Sequence, residues 1–147
     1  MTTRKLSTFR VGDDLFGVPV EDVQEVTRSY ELTPVPLAHE AVSGLMNLRG
    51  QVVTVVDLRR RLGYPPRDAE ASTANVVVRS GGTAGAAVSL LVDAVEGFED
   101  VSDDQFAERP ETVTGPARQL VLGAYTLPDR LLLSLDLHGA VDVGGPS

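Results

Sequence analysis

The sequence predicts a mainly β protein made of two similar half-size modules with only short helices. Two observations favour this class. Short apolar runs rich in β-branched residues, such as "QVVTVVD", alternate with turns that contain Gly, Asp or Pro. The second half also repeats the plan of the first, because "GLMNLRGQVVTVVDL" can be placed over "GAYTLPDRLLLSLDL" without a gap. Chance similarity between apolar strands is the alternative. The matched pairs are Gly44 with Gly123, Leu48 with Leu127, Asp57 with Asp136, and Leu58 with Leu137.

The first half opens with a predicted β-hairpin, "LSTFRVGDDLFGVPV", that turns at Gly12-Asp13-Asp14. The next segment, "VEDVQEV", spaces three valines three residues apart, which fits a short helix or a kinked strand. Two prolines make "ELTPVPLAHEAVSG" an irregular crossing segment. The strand "QVVTVVD" is expected to be covered on both faces, and Asp57 to cap a helix "LRRRL" that stops at Gly63. Residues 63 to 75 are the best candidate for an internal linker.

The second half is expected to follow the same order. A hairpin in "NVVVRSGGTAGAAVSLLV" is predicted around Ser80-Gly81-Gly82, and "VDAVEGF" repeats the spacing of "VEDVQEV". Ser102 and Gln105 form a capping-box pattern for a short helix that Pro110 would end. A last hairpin is predicted to turn at Pro128-Asp129, with a helix beginning at Asp136.

Composition excludes several classes of protein. Apolar residues make up 42% and charged residues 23% of the 147-residue chain, which is enough for a folded core. The net charge of −8 argues against a nucleic-acid partner, since that binding depends on neutralising phosphates with Lys and Arg. There is no cysteine, and no run approaches the ~20 apolar residues of a membrane span. We therefore expect a soluble cytoplasmic protein with no direct membrane insertion.

Signatures of catalysis and of cofactor binding are missing. His39 and His138 lie far apart and outside any metal-binding spacing, and no serine sits in a GxSxG motif. The Asp13-Asp14 and Asp103-Asp104 pairs are explained by turn and helix-start chemistry. The sequence therefore predicts no enzyme activity, no metal and no cofactor. The competing class is a small-molecule-binding or enzymatic β-barrel, which phosphotransfer or hydrolysis by the purified chain would favour.

Three features are candidates for binding another protein. Arg49 and Gly50 stand at the mouth of the apolar strand, where the second repeat has an ordinary turn. Arg49 is open to two interpretations, a surface side chain paired with Glu25 or a binding residue, and Val23 could belong to the core or to a small apolar docking spot. A basic group in this acidic chain would be either solvated helix-end charge or a contact for an acidic partner. Its members are Arg59, Arg60, Arg61 and Arg67.

The motifs of this chain resemble those of the CheW family of chemotaxis coupling proteins. The resemblance begins with "FRVGDDLFGVPVEDVQEV" and "TPVP" and continues through "VSGLMNLRGQVVTVVDLRRRLG". "AAVSLLVDAVEGF" and "DRLLLSLDL" extend it to about residues 5 to 141. We expect no receiver domain and no kinase core, which would indicate related protein types, and we expect the final helix, near "LHGAV", to be short.

This resemblance implies one CheW-like domain over residues 1–147, built from two SH3-like β-barrels. The approximate subdomains are 15–65 with the C-terminal part and 75–135, with exchange of strands between barrels left open. It also implies a non-catalytic adaptor between the cytoplasmic tip of methyl-accepting chemoreceptors and the regulatory domain of the kinase CheA, recruited to receptor arrays. A same-fold adaptor in a non-chemotactic pathway is the alternative.

Carried over by motif position, the resemblance also implies a set of partner-binding residues. Receptor helices would dock in the groove between the barrels, with Val95 as a candidate on the second side, and Gly50 would let the chain turn beside the site. The full set is Val23, Glu25, Gly44, Arg49, Gly50 and Val95.

Overall fold

The computed structural model describes residues 2–79 and 87–142, and within them the chain is mainly strand. Eleven strands and three short helices lie in these ranges. They are β1 (Thr3–Val11), β2 (Asp14–Pro19), β3 (Val23–Arg28), β4 (Val42–Leu48), β5 (Gln51–Asp57), α1 (Leu58–Leu62), β6 (Ala74–Val78), β7 (Ala87–Val92), β8 (Ala94–Ser102), β9 (Phe106–Ala107), α2 (Pro116–Leu120), β10 (Val121–Thr126), β11 (Leu131–Leu135) and α3 (Leu137–Val141). None of the helices in these ranges has the length and apolar character needed to cross a membrane.

The strands form two sheets, as the predicted fold class requires. One sheet has six strands in the order β8-β1-β2-β11-β10-β9, and the other has five in the order β3-β6-β7-β5-β4. Most neighbouring strands are antiparallel, but β2 runs parallel to β11 and β5 runs parallel to β7. The mainly β class with two small barrel-like units is therefore confirmed, and we call the units the six-stranded barrel and the five-stranded barrel.

Each barrel is completed by a hairpin from the other half of the chain. The β1–β2 hairpin belongs to the first half but pairs with β8 and β11 of the second, while the β6–β7 hairpin of the second half pairs with β3 and β5 of the first. The described strands of the five-stranded barrel all lie between residues 23 and 92, and those of the six-stranded barrel lie on either side of this range. These pairings cross the approximate subdomains of 15–65 with the C-terminal part and 75–135, between which an exchange of strands was left open.

The gapless repeat has structural counterparts in both barrels. Asp57 and Asp136 are the N-caps of α1 and α3, and each side chain accepts a hydrogen bond from a backbone N–H of its helix. A β-bulge precedes Gly44 in β4 and another precedes Gly123 in β10. Leu48 and Leu127 lie in the separate apolar clusters of the two barrels. Equivalent residues therefore build equivalent parts of each barrel.

Three apolar clusters hold the fold together. One lies within each barrel, and the third and largest draws its side chains from both barrels and all three helices. Phe9 and Phe16 of the six-stranded barrel meet there with Val76 and Leu90 of the five-stranded barrel, and all four are fully buried. Because this shared cluster is continuous across the junction, the two barrels pack as one hydrophobic body.

Several local predictions are modified by the structure. Both interpretations of "VEDVQEV" apply, because Val20–Asp22 is a single 3-10 turn and a strand follows it at once. The helix predicted to end at Pro110 is only a 3-10 turn over Asp103–Gln105, capped at the Ser102 N–H by the Gln105 side chain. Helix α2, which begins with a proline at its first position, was not predicted. The turn predicted at Ser80-Gly81-Gly82 lies outside the described residues.

The segment between α1 and β6 does not separate two units. Both flanking strands, β5 and β6, belong to the five-stranded barrel, so the segment joins the two sequence repeats within one barrel. Arg67, in its middle, forms ion pairs with Asp57 and Asp93 and has a side chain only 13% exposed. Residues 63 to 75 therefore connect the two sequence repeats within one barrel, and the ion pairs of Arg67 hold the middle of the segment against Asp57 and Asp93.

The crossing segment between β3 and β4 contains a strained residue. Ala38 N–H donates to the Val35 carbonyl oxygen at 3.4 Å, and Leu37 lies between them with φ +64° and a fully exposed side chain (105%). Pro36 followed by a positive φ is the pattern of a type II turn, whose third position favours Gly or Asn. Leucine is disfavoured in this conformation because its Cβ approaches the following carbonyl.

We expect Leu37→Asn to raise the free energy of unfolding by about 1 kcal/mol, since asparagine tolerates a positive φ. Urea denaturation followed by circular dichroism measures this change. Leu37→Ala is the matched control, because alanine removes the exposed side chain but keeps the strain. An equal increase in the free energy of unfolding in both variants would show that the exposed leucine side chain, and not the backbone conformation, destabilises the wild-type protein.

Candidate functional site

The hairpin between β4 and β5 turns at Arg49 and Gly50. Leu48 pairs with Gln51, and the two residues between them have φ of +53° and +85°. Positive φ at both central residues is the pattern of a type I′ turn, which joins antiparallel strands and favours Asn-Gly. The Asn47 side-chain oxygen accepts a hydrogen bond from the Gly50 N–H at 2.8 Å and holds the turn. An arginine therefore occupies a backbone position that does not favour it.

Arg49 forms an ion pair and hydrogen bond with Glu25 of β3. In the strand order of the five-stranded barrel, β3 and β4 lie at opposite ends, so this contact joins the two open edges of the sheet. The Glu25 side chain is 24% exposed, whereas that of Arg49 is 69% exposed. The hydrogen bond with Glu25 raises the pKa of Arg49 above its usual value. Exposed pairs of this kind contribute little to stability. The main effect of the contact is to fix a cation at the surface.

Val23 and Glu25 are separated by a β-bulge in β3. Val23 pairs with Val78 and Glu25 with Val77, so Gln24 is the extra residue. Val23 is partly buried and packs on the shared cluster, while Val26, which follows Glu25 in the strand, is 43% exposed. Val23 therefore belongs mainly to the core and has a solvent-accessible edge. We call Val23, Glu25, Arg49 and Gly50 the Arg49 corner.

Gly44 is buried beneath the crossing segment and is not a surface residue. Thr33 and Leu45 exchange two backbone hydrogen bonds of 2.8 Å, which bring the crossing segment onto the edge of β4. A Cβ on Gly44 would lie 2.7 Å from the Thr33 carbonyl oxygen, and the Gly44 φ is +150°. Gly44 thus allows a close approach of two backbones, and it precedes the Arg49–Gly50 turn in the same hairpin.

Val95 lies in the other barrel, near the start of β8. It pairs with Phe9 and, like Val23, is partly buried against the shared cluster. Three residues further along the same strand, Phe98 is 65% exposed. The structure therefore brings the residues of the Arg49 corner together in the five-stranded barrel, while Gly44 lies further along β4, opposite Val55 and against Thr33. Val95 is on the opposite side of the junction between barrels.

Most of the predicted basic group is not available to a partner. Arg61 donates to the carbonyl oxygens of Gly139 and Ala140, which are in α3. Arg59 and Arg67 both pair with Asp93, a residue that sequence reasoning did not single out. Arg60 makes a 3.5 Å contact with the Glu40 carbonyl oxygen and stays exposed. The interpretation as a docking patch is wrong for Arg59, Arg61 and Arg67, because their guanidinium groups bind carboxylate or carbonyl oxygens of this chain.

The residues considered for catalysis have structural contacts. His39 accepts a hydrogen bond from the Ala41 N–H through Nδ1 at 2.9 Å. Asp14 accepts a 2.5 Å hydrogen bond from the Tyr64 hydroxyl. Burial, together with this bond to a carboxylate, raises the pKa of Tyr64 far above its usual value. Over residues 2–79 and 87–142, no group of three or more His, Asp or Glu side chains is arranged to hold a metal ion.

Two small barrels with a shared core and a fixed surface cation define a protein-interaction domain. Comparison with known proteins agrees, since the CheW-like domain family matches residues 5–143. The probable chemotaxis protein CheW of Rhizobium etli is 33% identical over 92% of this chain and 85% of its own length. The chemotaxis protein CheW of Rhizobium meliloti is 34% identical over 91% and 84%.

A solved structure is similar over nearly the whole chain. The scaffolding protein TtCheW from Thermoanaerobacter tengcongensis superposes with a TM-score of 0.83 and is 28% identical, covering 99% of this chain and 97% of that one. The chain belongs to the CheW-like family and is a chemotaxis adaptor of that family.

Proposed function

We propose that this protein is a non-catalytic adaptor that couples the cytoplasmic tip of chemoreceptors to the regulatory domain of the histidine kinase CheA. The observation that carries the proposal is the Arg49 corner. An arginine is held there in an unfavourable backbone conformation, pinned by Glu25 and exposed over most of its side chain. Such strain is typical of residues whose side chains serve a function.

Receptor binding is assigned to the seam between the barrels. The Arg49 corner forms one side of the seam, with Gly44 further along the same hairpin, and Val95 forms the other. Val23 and Val95 are each partly buried on the one cluster that both barrels share, so each presents an apolar edge with acidic neighbours. A receptor helix would place apolar side chains between these edges and a carboxylate or carbonyl group near Arg49, whose planar fork makes directed hydrogen bonds.

The proposal that the protein is non-catalytic is supported by the structural roles of its aspartates. Asp57 caps α1, Asp93 pairs with two arginines, and Asp14 binds Tyr64. What the Arg49 corner offers a partner is a cation and apolar edges, and its one carboxylate, Glu25, is engaged by Arg49. These are features of an interface, where affinity comes from a small apolar centre and a polar rim.

We expect Arg49→Asn to weaken binding to a receptor-tip fragment about tenfold or more while leaving the fold intact. Asparagine suits the positive φ of this turn position, so the melting temperature should stay equal or rise. Binding is measured by isothermal titration calorimetry and by co-sedimentation with receptor fragment and kinase. Arg49→Lys is the matched control, because it keeps the charge and loses the fork, and it should bind with intermediate affinity.

Unchanged receptor affinity in Arg49→Asn would remove Arg49 from the site. A loss of affinity that is matched by a loss of melting temperature would instead assign Arg49 a role in the fold.

A further inference from the structure

A second charged group lies where the chain passes between barrels. Asp93 is the one residue between β7, which ends at Val92 in the five-stranded barrel, and β8, which begins at Ala94 in the six-stranded barrel. Its backbone N–H donates to the Arg10 carbonyl oxygen at 3.0 Å. This crossover therefore consists of a single residue, and that residue is tied by its backbone to β1.

The Asp93 carboxylate binds elements of both barrels. From the six-stranded barrel, the Gly12 N–H in the β1–β2 turn donates to Oδ2 at 2.7 Å. From the other side, Arg59 Nε of α1 donates to Oδ1 at 3.2 Å, and Arg67 donates to the same oxygen from Nε at 3.1 Å and Nη2 at 3.0 Å. One carboxylate thus collects donors from three separate segments of the chain.

The group is largely enclosed and its charges balance. The side chains of Arg59, Arg67 and Asp93 are 16%, 13% and 23% exposed. Arg67 also pairs with Asp57 at 3.1 Å, so two cations face two carboxylates. Burial alone would raise the pKa of Asp93, but the Gly12 N–H and the two guanidinium groups outweigh it and hold the pKa below its usual value. Removing one member would leave enclosed charges without partners, which is costly.

We infer that Asp93 is a positioning residue that fixes the orientation of the two barrels and so sets the width of the receptor-binding seam. The group adjoins both barrels, because Val95 lies two residues beyond Asp93 in β8, while Asp57 and Arg59 lie at the end of β5 opposite to the Arg49–Gly50 turn. This inference rests on the proposed function for its effect on binding. The orientation itself can be measured without any partner.

The first experiment measures the distance between barrels. The chain has no cysteine, so Arg28→Cys in β3 and Asp100→Cys in β8, both away from the buried core, accept one spin label each. Pulsed electron paramagnetic resonance should give a narrow distance distribution with the native Asp93. In Asp93→Asn, which keeps the size of the side chain but removes its charge, the distribution should broaden or shift, at a temperature where circular dichroism shows the variant folded.

Glu96→Gln is the matched control. Like Asp93, Glu96 is a carboxylate that pairs with two arginines, but it lies within β8, and its partners Arg10 and Arg130 both belong to the six-stranded barrel. Loss of the Glu96 charge should leave the distance between barrels unchanged. If Asp93→Asn does not fold, Arg67→Met replaces it, because it leaves Asp93 with Arg59 and Gly12 and should broaden the distribution less. An unchanged distribution in the variant that folds would overturn the inference.

The second experiment separates this inference from the proposed function. Asp93→Asn should lower affinity for the receptor-tip fragment about fivefold to tenfold, and Glu96→Gln should lower it less. If Asp93→Asn changes the distance while neither it nor Arg49→Asn changes receptor affinity, the proposed function fails and the positioning of the barrels stands. If Arg49→Asn weakens binding while Asp93→Asn leaves the distance unchanged, the inference fails and the proposed function stands.

Discussion

Cutting the chain between Glu70 and Ala71 is expected to give two fragments that are each unfolded and that fold together when mixed. The cut falls in an exposed turn between the two sequence repeats, so it removes no buried contact. In residues 1–70, the β1–β2 hairpin loses β8 and β11, β3 loses β6, and β5 loses β7. What remains is two separate hairpins and a lone strand, and an isolated hairpin is marginal at best in water.

Far-UV circular dichroism and size-exclusion chromatography of each fragment and of an equimolar mixture measure this effect. We expect random-coil spectra for the single fragments and, for the mixture, a β spectrum with a cooperative melting transition. Residues 20–92 are the matched control, because a segment of similar length then contains all five strands of one barrel and should keep β structure. Cooperative melting of residues 1–70 alone would contradict the exchange of hairpins.

Gly44→Ala is also expected to have a large effect, and should destabilise the protein by about 3 kcal/mol or more. The new methyl group would lie 2.7 Å from the Thr33 carbonyl oxygen and 3.1 Å from the Leu32 Cβ. Overpacking of this kind costs ~1–3 kcal/mol, and backbone strain at a φ of +150° adds ~1–3 kcal/mol. Because the clash is with backbone, the crossing segment itself must move away from β4.

Gly50→Ala is the matched control for Gly44→Ala. Gly50 also has a positive φ, of +85°, but a methyl group added there would have no atom within 4 Å, so only strain of ~1–2 kcal/mol is expected. Chemical denaturation of both variants measures the difference. Equal destabilisation of Gly44→Ala and Gly50→Ala would show that the close contact with Thr33 does not contribute to the loss of stability. Any loss of partner binding in Gly44→Ala is expected to follow from displacement of β4, since Gly44 itself is buried.

The internal repeat was the most productive prediction from sequence. Gly44 and Gly123, matched by a gapless overlay, both follow a bulge and both lie against a neighbouring backbone, Thr33 in one barrel and Ala107 in the other. Asp57 and Asp136 both cap helices. These features could be predicted because caps, bulges and turns depend on residues within a few positions of each other.

The site was predicted only in part. Arg49, Glu25 and Val23 were singled out from their positions in the sequence and again through the family motif, and the structure gathers them in one corner. Three residues of the basic group were misinterpreted because the groups that pair with them are distant, Asp93 lying 34 residues from Arg59 and 26 from Arg67. Asp93 went unnoticed because an aspartate after an apolar strand resembles an ordinary strand end. The contact that distinguishes Asp93, its hydrogen bond from the Gly12 N–H, spans 81 residues, and no sequence pattern signals it.

The amino-acid sequence by itself determined the mainly β class, the two-fold repeat, the hairpin turns at Gly12 and at Pro128, the helix caps and the family. All of these depend on local patterns or on motif order. The tertiary structure alone decided which hairpin completes which barrel, which arginines are enclosed, and how the Arg49 corner closes the edges of a sheet. The physical reason is that strand pairing and ion pairing are non-local. Their energies depend on which segments meet after chain closure, and many segments of this chain have equivalent apolar patterns.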